Sequence, residues 1–138
     1  MNRFISLRQI GLAGAAYLTV LGGLANAATL SQAPLPEATE SAIGYETVKD
    51  ALTGLRSQPS VAFSTENGWL IATDEAAYTI WSFAPQGYPA YPAVVKRQVV
   101  AQGAGSAIHM NVLCEASKEA CDDLVRTFAQ MNGMPVGQ

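Results

Sequence analysis

Apolar residues follow three arrangements along this chain. Ile10 to Leu24 is an almost continuous apolar run without a charge. Between Ala42 and Ser57, Tyr45, Val48, Leu52 and Leu55 recur at intervals of three and four, which places them on one face of a helix. The same spacing returns near the C-terminus, where Ala120, Cys121, Leu124, Val125, Phe128 and Met131 share a face of a helix from Ser117 to Met131. Ser41 or Thr39 is the expected cap of the first helix, Pro59 lies just past its end, and Gly54 weakens it by about 1 kcal/mol relative to alanine.

Between the helices lie short stretches rich in β-branched and aromatic residues: Val61–Thr65, Trp69–Thr73, Ala77–Phe83, Val94–Ala101 and Ala107–Cys114. Asn67-Gly68 joins the first two as a tight hairpin, because both residues tolerate positive φ. A glycine-rich turn, Gln102 to Ser106, joins the last two. The prediction is an α+β domain over residues 42–138, in which an antiparallel sheet of four to five strands is flanked by an N-terminal and a C-terminal helix. Setting Val100 opposite His109 puts Gln98 opposite Asn111 and Lys96 opposite Leu113, gathering His109, Asn111, Gln98 and Lys96 on one side. Arg97 is the misfit, a cation on the apolar side that belongs at a sheet end or edge in this register.

The apolar run near the start, preceded by Arg3 and Arg8 and closed by Ala25-Asn26-Ala27, has the layout of a secretory signal peptide cleaved after Ala27. It is shorter than the roughly 20 residues of a spanning helix and is interrupted by glycines, so no stable membrane insertion is expected after cleavage. Residues 28–41 are small, polar and proline-bearing, and read as a flexible leader. The expected location is periplasmic or secreted. The full chain has a net charge of −3, and the mature chain is more acidic because Arg3 and Arg8 leave with the signal peptide. This charge gives no reason to expect nucleic acid as a partner.

In an exported protein with two cysteines, Cys114 and Cys121 are expected to form a disulfide, since their spacing is not the C-x-x-C of a redox pair. His109 is the only histidine, so no familiar zinc site can be assembled, and on a strand it diverges from its neighbour Met110. As a general base His109 would need a nucleophile, but the nearby Gly103–Ala107 is not a G-x-S-x-G elbow and lacks the lysine of a phosphate loop. Asp74-Glu75 and Asp122-Asp123 are adjacent acids of the kind that are normally solvated. No cofactor is expected.

The loop Pro85–Ala93, PQGYPAYPA, is the most individual stretch. Tyr88 and Tyr91 each precede a proline and are biased to extended conformations. They either present a stiff recognition surface or fold back to plug the open end of the sheet. Trp69 and Trp81 are either core residues or ligand platforms.

WSFAPQGYPAYPAVVKR, from Trp81 to Arg97, together with MNVLCEASKEACDDL, from Met110 to Leu124, resembles a family of small exported proteobacterial proteins. The resemblance spans about Tyr45 to Asn132. It supports these domain limits and the paired cysteines, and transfers no catalytic residue. The function expected is a non-catalytic periplasmic binding or protein-interaction module that uses Tyr88, Tyr91, His109, Asn111, Gln98 and Trp81, with an envelope protein or a small ligand as partner. The alternatives are a small cell-envelope hydrolase with His109 as base, and an inhibitor of an envelope-attacking enzyme.

Overall fold

The computed structural model describes residues 34–35 and 43–135. The signal peptide expected over 1–27, and all but two residues of the leader, lie outside the described residues. Five strands follow one another as an antiparallel meander, β1 (Val61–Glu66), β2 (Trp69–Asp74), β3 (Thr79–Phe83), β4 (Ala93–Gln102) and β5 (Gly105–Cys114), each paired with the next in sequence. Helix α1 (Val48–Arg56) precedes the sheet and α2 (Lys118–Met131) follows it.

The helices cover opposite faces. Strand residues alternate between faces, and the alternation sorts the core into two clusters. Val48, Ala51 and Leu55 of α1 pack with Ala72, Trp81, Phe83 and Val94. Leu124 and Phe128 of α2 pack with Val95 and with Ala84, Ala90 and Ala93, and Trp69, Tyr88 and Val112 close around them. Burying a side chain such as Leu124, which is fully enclosed, contributes on the order of 2 kcal/mol.

The first helix starts later than its apolar spacing implies. Gly44 has φ +75°, outside helical space, and Thr47 is the N-cap, its hydroxyl accepting from the Asp50 amide at 3.0 Å. Ser41 and Thr39 lie outside the described residues. Tyr45 therefore precedes the helix, and its ring lies across Gly54, where an added Cβ would come within 2.6 Å of it. The glycine that weakens the helix is what admits the ring. At the other end of the chain, Ser117 caps α2 by accepting from the Ala120 amide.

The β1–β2 hairpin turns on Asn67 (φ 49°) and Gly68 (φ 85°), both with the positive φ a type I′ turn requires. The β4–β5 hairpin closes tighter than expected. Gln102 pairs with Gly105, so the loop is only Gly103-Ala104, with Gly103 at φ +56°. The register is accordingly two residues from the expected one, with Gln98 opposite His109, Lys96 opposite Asn111 and Val100 opposite Ala107. A shift of two preserves the faces, so Lys96, Gln98, His109 and Asn111 still share a side.

Cys114, the last residue of β5, and Cys121 of α2 form a disulfide across a Cα separation of 5.8 Å. The next residue, Glu115, accepts from the Val48 amide at 3.0 Å, giving the start of α1 a long-range partner. Among the described residues no helix is long and apolar enough to cross a membrane.

Candidate functional site

Strand β4 lies inside the sheet, between β3 and β5. It carries Lys96 and Arg97 side by side, and alternation sends the two cations to opposite faces. Arg97 is therefore neither at a sheet end nor at an edge, as its mismatch with the apolar side implied. It stands at mid-strand under α2. It is accommodated there because Phe128 lies against the guanidinium, 5.4 Å from ring centroid to Cζ, and Nη2 donates to the Ser82 hydroxyl at 3.1 Å. The small Ser82 side chain leaves room for the long one beside it.

Arg97 opens into a cavity of about 320 Å³ between the sheet and α2. Trp69 is the central wall, with the Tyr88 ring edge-on at 4.9 Å and the Phe128 ring edge-on at 5.4 Å. Ile71 adds apolar surface, Thr127 and the exposed Met131 lie on the α2 side, and Glu66 and Asn67 come from the β1–β2 turn.

The Arg97 Nε is buried and has no hydrogen-bond acceptor among the described residues. Burial lowers the guanidinium below its ordinary value, and the Glu66 carboxylate partly opposes this. Among the described residues, ion pairs join Lys118 to Asp122 and Arg126 to Asp123, and no carboxylate lies within ion-pair distance of Arg97. The cavity thus holds a positive charge that Glu66 favours from a distance without neutralising.

The residues singled out from the sequence are distributed over three places. Tyr88 is half-buried in the cavity wall, folded back onto Trp69. Tyr91, 45% exposed, turns away from it and lines a separate groove of about 540 Å³ beside α1, with Leu52, Phe83 and Pro92. The Tyr91–Pro92 peptide is cis.

Trp81 is buried on the α1 face, with the Tyr45 ring edge-on at 5.7 Å and the Lys96 ammonium 5.3 Å from its own ring. Burial lowers Lys96 below the ordinary lysine value. Gln98 is buried on the same face and donates to the Ala77 carbonyl at 3.2 Å. His109 and Asn111 sit half-buried on that side of β5. Ser106 is three residues from His109 on the same strand, so their side chains leave opposite faces and this pair does not form a base–nucleophile couple.

The structure therefore brings Tyr88 together with Trp69, Phe128 and Arg97, and not with Tyr91. Of these, Arg97 had left a signal in the sequence as the cation out of place on an apolar strand face. Among the described residues no cluster of three or more histidine, cysteine or carboxylate side chains could hold a metal ion. Comparison with protein-family models, with curated proteins and with solved structures finds no match to this chain.

Proposed function

We propose that this protein is a non-catalytic binding module exported to the cell envelope, and that the cavity roofed by α2 is its binding site. The observation that carries this reading is Arg97, a guanidinium in an aromatic-walled cavity with no carboxylate within ion-pair distance among the described residues. A guanidinium among apolar walls with no carboxylate beside it is poorly compensated, and an anionic ligand in the cavity supplies the missing counter-charge. Apolar walls around a few convergent polar groups are the usual form of a small-molecule site. The disulfide supports the exported location.

The test is thermal unfolding in the presence of a small-molecule extract of the envelope, for the wild type and for Thr127→Trp. Thr127 is exposed at the cavity's α2 side, so the indole obstructs the cavity without entering the core. The extract should raise the wild-type midpoint by several degrees, as expected of a ligand well above its Kd, and leave the variant unmoved. Equal shifts in both would place the ligand elsewhere.

A further inference from the structure

We infer that the ligand of this cavity is a monocarboxylate carried on a small apolar body of about one ring, an assignment that rests on the cavity being the binding site. Three features narrow the chemistry. The first is the pose of Arg97. Phe128 lies against its guanidinium and Nη2 is engaged by Ser82, so the cation is held in place, and a planar carboxylate matches a held guanidinium better than a spherical ion does.

The second is the charge balance. One guanidinium is present, Glu66 stands in the same cavity, and the chain is acidic overall. A single negative charge neutralises Arg97. A phosphate dianion would add repulsion from Glu66 without a second cation to meet it. The third is the walls, where Trp69, Ile71, Tyr88 and Phe128 present ring and aliphatic surface. A volume of about 320 Å³ is at the small end for ligand pockets, which suits one ring with a short chain.

The competing occupant of three aromatic rings and a glutamate is an alkylammonium held by cation–π contacts. Arg97 opposes it, because a second cation would enter beside one that no carboxylate has neutralised. Glu66 separates the two ligands by sign: it repels a carboxylate and attracts an ammonium.

The experiment is calorimetric titration of the oxidised protein with phenylpropionate, phenylpropionamide and phenylpropylammonium at neutral pH, using wild type, Glu66→Gln, Arg97→Lys and Arg97→Gln. The wild type should bind the carboxylate about tenfold or more tightly than the isosteric amide, the discrimination expected of a charge-assisted hydrogen bond. Glu66→Gln should tighten the carboxylate a few-fold. Arg97→Lys should weaken it, and Arg97→Gln should abolish the preference over the amide. If the Arg97 variants fail to fold, Glu66→Gln carries the test, since Glu66 is exposed at the β1–β2 turn.

Equal binding of acid and amide, or tighter binding of the ammonium with loss on Glu66→Gln, would overturn the carboxylate assignment and leave the cavity standing as a site. No saturable heat from any of the three probes would also overturn it. The envelope-extract experiment then decides separately whether the cavity reading falls with it.

Discussion

The two faces of the sheet solve the same problem in opposite ways. Each must accommodate one cation from the middle of β4, and each sets it against an aromatic ring, Lys96 with Trp81 on the α1 side and Arg97 with Phe128 on the α2 side. Lys96 is shut in, only 6% exposed. It lines only a small cavity of about 120 Å³, whereas Arg97 borders one of about 320 Å³. The difference lies in the surroundings: Leu55 of α1, Tyr45 and Trp81 stand around the first cation, whereas the second is bordered by the small Ser82 and by α2, whose C-terminal half leaves an opening at Thr127 and Met131. Two adjacent residues of one charge thus end with different burial and different space beside them, and only the neighbours decide which has which.

The largest way to disturb this contrast is to hollow out the α2 side. Leu124→Ala should cost about 3 kcal/mol, because the side chain is fully buried. In a Trp81→Phe background the emission of Trp69 should shift to the red on that change. In a Trp69→Phe background the emission of Trp81, on the other face, should hold. Matching shifts from both tryptophans would show that the faces are not separable.

Cutting the tether of α2 comes next. Replacing Cys114 and Cys121 by serine should lower stability by about 2.5 kcal/mol in the chain-entropy treatment of so short a loop, measured by urea denaturation. The same paired tryptophan backgrounds should again report loosening around Trp69 before Trp81. Denaturation midpoints identical to wild type would mean that packing alone holds α2 in place.

On the α1 side, Gly54→Ala inverts the usual rule. Helix propensity favours alanine by about 1 kcal/mol, but the new methyl would meet the Tyr45 ring. A net loss of about 1 kcal/mol is expected, the cost of overpacking exceeding the propensity gain. Tyr45→Ala in the same chain should restore the gain. Stabilisation by Gly54→Ala alone would show that Tyr45 moves aside without cost.

The smallest effect concerns Lys96. Its folded value is lowered by burial, so the folded state gives up the proton at lower pH than the unfolded chain. The resulting penalty is complete below the folded value and shrinks as pH rises from there toward the ordinary lysine value. Lys96→Met removes that penalty, so any stability it gains over wild type at neutral pH should narrow in alkaline solution. A gap that widens with pH would mean that other interactions of Lys96 outweigh desolvation.

Most of the local structure was legible because its causes are local. Asn67-Gly68 dictates its own turn, Ser117 caps α2, and two cysteines at a strand end and a helix face found each other. The start of α1 misled because Tyr45 stands three residues before Val48, the interval of a helical face, while Gly44 takes the chain out of helical space just before it. The β4–β5 register misled by two residues because Gln102 to Ser106 contains two glycines, and either could form the corner. Yet the faces survived, since two is the period of a strand.

The cavity was legible only in fragments. Tyr88 stood out by its loop and Arg97 by its mismatch, but Trp69 and Phe128 look like ordinary core residues. Their meeting depends on which face α2 covers. No periodicity within a single element encodes that choice.

Glu115 has a consequence for the order in which the molecule can be completed. It follows the cysteine that ties α2 to one side of the sheet and accepts from the first amide of α1 on the other, 67 residues earlier in the chain. While the chain is still being made from its N-terminus, α1 exists as nine residues with no sheet beneath it, too short to persist alone. Its seal arrives only with the end of the last strand. The helix that precedes the sheet is thus among the last elements to become secure, and a chain truncated before Glu115 would lose the support of α1 as well as its own end.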